Sequence, residues 1–286
     1  DALDALWLHL EQNTYRADAR SVNSSARVHT QFTDGDVLDK VEVESGGGFV
    51  AAKYLVSDTR LRVQLPTALA GKGGHLRLRI AYHYTVPGAF GGRTQWLDTP
   101  NGTIYEIAQW YPRMAVYDDV RGWDPLPYLG SEFYLEYGNF DYAVTVPSDM
   151  IVAGSGALVN PDEVLTAAEK SRLAAARASD KTVMIRTAAD VTATPPASGT
   201  KTWHFHMDQT RDVAFAASRA YLWDAARVNL PGGKTALAQS VYPVASAGDA
   251  AWGRSTEYLK FAIEDFSRRW LPYPWPNAIN VAGAVS

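Results

Sequence analysis

Gln109-Trp110-Tyr111-Pro112-Arg113-Met114-Ala115-Val116-Tyr117-Asp118-Asp119 packs aromatics, a proline, an arginine and two adjacent acids into eleven positions. An ordinary buried strand does not tolerate that mixture. Proline removes a ladder donor, and neighbouring acids resist burial. The segment is therefore expected to line a cleft or a domain junction.

Outward from this block the chain reads mostly as β. Over residues 76–86, Leu76, Leu78, Ile80, Tyr82, Tyr84 and Val86 alternate with Arg77, Arg79, Ala81, His83 and Thr85. The period of two marks one buried and one wetter face. Leu61, Val63 and Leu65 repeat the pattern up to Pro66, and Gly71-Lys72-Gly73-Gly74 supplies a turn. Residues 133–146 read as a hairpin, with Phe133, Leu135 and Tyr137 before Gly138-Asn139 and Tyr142, Val144 and Val146 after it. Residues 151–159 read as one further strand. Asn160-Pro161-Asp162-Glu163 has the cap, proline and early acids of a helix start, continued by Val164, Leu165, Ala168, Leu173 and Ala176 as a surface helix. Strands are expected at 183–187 and 203–207.

Past residue 208 the pattern changes. A long helix is expected from Asp249, with Trp252, Leu259, Ile263, Phe266 and Trp270 forming one apolar stripe. Prolines 272, 274 and 276 end it, and a short strand follows at 279–282. The opening Asp1-Ala2-Leu3-Asp4-Ala5-Leu6-Trp7-Leu8 already reads as a strand entering a core. The sequence stops at Ala282-Gly283-Ala284-Val285-Ser286, directly after that last strand. Both ends read as cut, so the expectation is a segment of a larger protein.

Composition narrows the function. The 286 residues are 47% apolar and 20% charged, which describes a globular chain with a sizeable core. A net charge of −4 with no basic stripe argues against a nucleic-acid partner. The absence of cysteine removes disulfides, thiol catalysis and Cys-ligated zinc. No apolar run has the length of a membrane span, no signal peptide is visible, and the compartment stays open.

Few residues carry chemistry on their own. His204 and His206 sit two apart on an expected strand and share a face. Without a third ligand nearby they read as exposed or hydrogen-bonded strand histidines before they read as a metal pair. Asp118 and Asp119 point to different sides of a strand, so they suit turn capping, or pairing with Arg113 or Arg121, better than paired-acid chemistry. Glu106 is different. It lies among Tyr105, Ile107 and Trp110, where a carboxylate is either paired or facing a ligand, and Gln109 is its neutral neighbour. No H-E-x-x-H, G-x-S-x-G, phosphate loop or dinucleotide fingerprint occurs.

Read in order, these segments resemble a family. Trp110-Tyr111-Pro112-Arg113-Met114 with Tyr117-Asp118-Asp119 resembles the "F-P-x-x-D-E-P" region of zinc aminopeptidases related to membrane alanyl aminopeptidase and leukotriene hydrolase. Leu6-Trp7-Leu8-His9-Leu10-Glu11-Gln12-Asn13 is similar to the middle of their N-terminal β-saddle. Phe140-Asp141-Tyr142-Ala143-Val144-Thr145-Val146-Pro147 resembles their "F-x-V-T-V-x-x-P" strand, and Ile151-Val152-Ala153-Gly154-Ser155-Gly156 the small-residue strand after it. Trp203-His204-Phe205 with Arg211-Asp212-Val213-Ala214-Phe215-Ala216-Ala217-Ser218 resembles the last segment of that domain. The long helix and Pro272-Tyr273-Pro274-Trp275 resemble the opening of the thermolysin-like domain.

The resemblance implies a mainly β fold: an N-terminal β-saddle or sandwich over residues 1–208, then the first part of an α/β thermolysin-like catalytic domain over 209–286. It implies a zinc metallo-aminopeptidase as the parent, acting on the N-terminus of peptides, with the remainder of the catalytic domain as this segment's partner. The family's G-x-M-E-N type motif would begin where the sequence stops, and H-E-x-x-H would follow. The zinc ligands are therefore expected outside this chain, and the chain alone is expected to be inactive. The resemblance also assigns a substrate-binding role to an acid or amide of the β-domain that holds the substrate's α-ammonium. Glu106 is the first choice and Gln109 the second. The alternative from the residues alone is a non-catalytic β-sandwich binding or scaffold module that uses the aromatic block as its contact surface.

Overall fold

The computed structural model of the chain describes residues 2–23, 32–88, 92–127, 129, 134–248, 250 and 252–283. Strand predominates over helix, as expected. The chain divides into two compact units, Asp1–Phe90 with Gln109–Glu136 and Gly91–Ala108 with Tyr137–Ser286.

In the first unit, a sheet ordered Lys53–Ser57, Arg60–Leu69, Leu3–His9, Arg113–Met114 shares one core with a sheet ordered Gly48–Ala51, Val37–Ser45, Leu78–His83. Leu6, Leu8, Leu61 and Val63 come from one sheet and Val41 and Val43 from the other, so the two pack as a sandwich. The burial alternation over 76–86 holds, with the apolar members half-buried and the residues between them exposed, but the strand itself covers only Leu78–His83. The strand that was expected to stop before Pro66 runs on to Leu69. Its register on Leu3–His9 shifts there, and the proline falls inside that irregularity, where no ladder donor is required.

One buried acid in this unit gives a pH-dependent prediction. Asp36 is 9% exposed, and its Oδ1 has no hydrogen-bond partner among the described residues. Burial pushes its carboxyl up to about 7, against the pull of the Gln12 backbone N–H and with help from the Glu11 charge. The folded state thus holds a proton that the unfolded chain releases. The contribution is fully present below about pH 4 and is lost as pH rises through about 7. Asp36→Asn is expected to stabilise the protein more at pH 8 than at pH 5 in urea unfolding. An equal effect at both pH values would refute this reading.

Among the described residues the second unit carries three sheets around one core. The first is antiparallel, ordered Ile151–Gly154, Phe215–Ser218, Gly102–Ile107, Thr94–Thr99. The second places Thr200–Thr210 between Gly138–Pro147 and Ala157–Leu158. The third is ordered Val183–Arg186, Tyr221–Asn229, Thr235–Pro243, Asn277–Val281, with the last strand parallel to its neighbour. A parallel pair needs a long crossover, and the helix Ser255–Arg269 lies within it. Trp203, Ile104 and Tyr221, each almost fully buried, come from three different sheets and hold the core together.

Several local expectations are corrected. The hairpin at 133–146 does not form. Leu135 and Tyr137 lie in irregular chain, Phe133 lies outside the described residues, and Gly138–Pro147 pairs with Thr200–Thr210 instead. The Asn139 side chain accepts from the Gln209 amide at 3.0 Å, so it serves this long-range pair rather than a turn. Residues 151–159 form two strands in different sheets, broken at Ser155-Gly156. The helix begun at Pro161 lasts one turn, Pro161–Val164, and restarts as Ala167–Ala178. The restart is a capping box: Thr166 Oγ1 accepts from the Glu169 amide at 3.2 Å, and the Glu169 carboxylate accepts from the Thr166 amide at 2.9 Å. Its fully buried Ala176 seats it in the core. In the last helix, Leu259 and Ile263 pack against the cluster of Val228, Leu230, Ala236 and Ala238. Phe266 and Trp270, assigned to the same stripe, are 61% and 78% exposed, and Asp249 lies outside the described residues. No helix among the described residues is long and apolar enough to cross a membrane.

Candidate functional site

Glu106 sits near the end of Gly102–Ile107, a strand flanked on both sides within its sheet. Its cross-strand partners are Gln95 on one side and Ala216 on the other. The methyl side chain of Ala216 leaves space, while the Gln95 amide Nε2 donates to Glu106 Oε2 at 3.1 Å. Gln95 is 1% exposed; Glu106 itself is half-buried. Glu106 borders a cavity of about 280 Å³ whose wall includes Ser155, Met207, Phe215, Tyr273, Asn277 and Val281.

The parallel strand Asn277–Val281 delivers the chain to this carboxylate. Ala282 continues the ladder by donating to Val241 O at 2.9 Å, and Tyr221 Oη donates to Ala282 O at 3.4 Å. Gly283 then lies directly against Glu106: a Cβ added there would stand 2.3 Å from Oε2 and 2.8 Å from Oε1. Burial raises the Tyr221 hydroxyl, and the Glu106 charge adds to it. The carboxylate that borders the cavity thus has a buried amide donor, a buried phenol and a close backbone approach near it. Of these, the carboxylate can accept directional hydrogen bonds from a cation.

Gln109 belongs to the first unit. Its backbone is left-handed, with φ 54°, a conformation that a side-chain-bearing residue adopts at a cost. The carbonyl is held by Gln12 Nε2 at 2.8 Å. The rest of the block is anchored in the same unit. Tyr82 Oη donates to Trp110 O at 2.9 Å, and Trp110 meets Tyr111 edge-on with centroids 5.1 Å apart. Arg113 is buried and pairs with Glu11 through Nε at 2.9 Å and Nη2 at 2.7 Å. Asp118 caps its own turn, accepting from the amides of Val120 at 2.9 Å and Arg121 at 2.6 Å. The Tyr134 hydroxyl and these amides hold its carboxyl below the usual range.

His204 and His206 share the wetter face of Thr200–Thr210, opposite buried Trp203 and Phe205, as their spacing implies. His206 is clamped between Asp141 at 2.7 Å and Asp208 at 3.1 Å, one carboxylate on each ring nitrogen. These hydrogen bonds raise its pKa. Among the described residues no group of three or more His, Cys, Asp or Glu side chains could hold a metal ion. The described side chains therefore do not fit a zinc site.

Sequence reasoning missed Gln95, Tyr221 and Gly283. A signal for Gln95 existed. Pro100-Asn101 closes a two-residue turn with Thr99 opposite Gly102, and that register places Gln95 across from Glu106. Nothing local points to Tyr221 or Gly283, which reach Glu106 only through the third sheet.

No family model and no curated protein sequence matches the chain. Solved structures do. A two-domain M1 zinc metallopeptidase mutant bound to L-tryptophan is 16% identical, with 98% of this chain and 49% of that chain covered and a TM-score of 0.50. An M1 zinc metallopeptidase mutant from Deinococcus radiodurans, bound to a Tyr-Ser-Ala substrate, is 14% identical with the same coverage and a TM-score of 0.50. The chain shares the fold of M1 zinc metallopeptidases. It spans about half the length of the solved structures it matches. In this M1 fold Glu106, Gln95, Tyr221 and Gly283 all belong to the second compact unit.

Proposed function

We propose that this chain is part of a zinc aminopeptidase that removes N-terminal residues from peptides, and that Glu106 pairs with the substrate's α-ammonium. The observation that carries the reading is the M1 fold over 98% of the chain together with the Glu106 carboxylate lying against Gly283 at the end of the parallel strand. In a cleft with little water a carboxylate is well suited to a cationic N-terminus, and the pairing selects free amino ends over internal peptide bonds. Gln109 is the second choice for the same role and rests on the resemblance of its segment. The zinc ligands and the general base are supplied by sequence outside these 286 residues, and this segment contributes the wall of the active site. A zinc ion, held by residues outside this chain, would supply an activated water for the hydrolysis.

In the intact enzyme, Glu106→Ala is expected to raise KM for an aminoacyl arylamide by about tenfold to a hundredfold, the size of a lost charge-assisted hydrogen bond. Zinc content is expected to stay unchanged. Unaltered kinetics for Glu106→Ala with a raised KM for Gln109→Ala would move the role to Gln109. The 286-residue chain alone is expected to be inactive; chelator-sensitive cleavage of the arylamide by it would overturn the reading of zinc placement.

A further inference from the structure

We propose that Gln95 and Gly283 are positioning residues that fix where the Glu106 carboxylate points, Gln95 from the neighbouring strand and Gly283 by leaving room beside it. This rests on Glu106 being the ammonium-binding residue.

Gln95 and Glu106 are direct cross-strand partners, so their side chains leave the sheet on the same face. On that face the other neighbour of Glu106 is Ala216, which has no polar side-chain atom to offer. The Gln95 Nε2–H donates to Oε2 at 3.1 Å, and the reverse amide orientation would set two acceptors against each other. The side chain is 1% exposed, and its Oε1 has no hydrogen-bond partner among the described residues. A buried amide with one unsatisfied end costs stability, and an apolar residue would fill the same space without that cost. What the amide adds is a donor aimed at one carboxylate oxygen, which fixes the Glu106 rotamer.

Gly283 acts through the space it leaves beside the same carboxylate. A Cβ there would stand 2.3, 2.5 and 2.8 Å from Oε2, Cδ and Oε1 of Glu106, so the whole carboxylate occupies the space a side chain would need. These atoms are the tip of a flexible side chain, not backbone. Gly283→Ala therefore leaves the fold intact and turns the carboxylate aside.

The test uses the intact peptidase with Gly283→Ala, Gln95→Met, Glu106→Ala and the double variant Glu106→Ala/Gly283→Ala. Gly283→Ala and Gln95→Met are each expected to raise KM for an aminoacyl arylamide by about tenfold, with kcat within about twofold. The Tm of Gly283→Ala is expected to stay at the wild-type value. Both variants lose affinity for an inhibitor bearing an α-amine and keep it for the same inhibitor without the amine, a discrimination that general loosening of the fold does not produce. Because both residues act through one carboxylate, the double variant is expected to be no worse than Glu106→Ala alone. If Glu106→Ala raises KM while Gly283→Ala and Gln95→Met do not, or if the double variant shows additive losses, the positioning role is overturned and the Glu106 reading stands. If Glu106→Ala itself leaves KM unchanged, both fall.

Discussion

Arg113→Met is expected to destabilise the first unit by about 3–5 kcal/mol, read as a lower urea midpoint. Arg113 is 5% exposed and its partner Glu11 is 8% exposed, so the pair sits almost wholly out of water. Removing the guanidinium leaves a buried carboxylate without its cation, a far larger loss than breaking a surface pair. His9 feels the same change. It lies opposite Arg113 in the ladder, and burial first and the Arg113 charge second hold its pKa down at about 4. With the charge gone, one of the two opponents of His9 protonation disappears, and its pKa is expected to rise. The pairing, not the volume, is what the substitution tests: Glu11→Leu added to Arg113→Met removes both charges, and the double variant is expected to recover a good part of the loss. A loss below about 0.5 kcal/mol, the scale of an ordinary surface change, would refute the argument.

The same pair shows where the sequence was legible and where it was not. The period-two pattern over 76–86, whose strand is Leu78–His83, was readable because one of its faces is wetter. The strands Tyr221–Asn229 and Thr235–Pro243 were not anticipated. Both are buried along nearly their whole length, and strands covered on both faces carry no alternation to detect. The helix break at Leu165 was written in Thr166-Ala167-Ala168-Glu169, but the earlier Asn160-Pro161 signal masked it. Arg113 was assigned neighbouring acids or none. Its partner lies 102 positions away, a distance no local rule spans. The candidate site divides in the same way. Glu106 stood out as a carboxylate among aromatics and apolar residues, and Gln95 was recoverable from the Pro100-Asn101 turn. Gly283 and Tyr221 required the third sheet, whose parallel strand pairs across the helical crossover.

Gly156→Ala is the other large expected effect, at about 4 kcal/mol or more, the range that marks a backbone collision. Gly156 has φ +89°, which side-chain-bearing residues rarely adopt. Its added Cβ would stand 2.2 Å from the His206 carbonyl oxygen and 2.8 Å from the carbonyl carbon. That backbone cannot retreat, because Thr200–Thr210 is the central strand of its sheet and is paired on both sides. Gly156 O also accepts from Asn277 Nδ2 at 3.0 Å. Asn277 Oδ1 accepts in turn from Gln239 Nε2 at 3.4 Å, and Gln239 Oε1 from Trp223 Nε1 at 3.2 Å, a buried chain that ties the second sheet to the third. Gly154, two positions earlier, is the internal comparison. The nearest atoms its added Cβ would meet belong to side chains, the Tyr142 hydroxyl at 2.6 Å and Phe205 Cζ at 2.9 Å. Overpacking of that kind costs about 1–3 kcal/mol. Urea unfolding is therefore expected to rank Gly156→Ala well below Gly154→Ala in stability, and the opposite order would refute the backbone argument. Asn277 also begins the strand that brings Gly283 to Glu106, so a shift at Gly156 is expected to reach the carboxylate. Whatever fraction of Gly156→Ala folds is expected to show a raised KM in the intact enzyme.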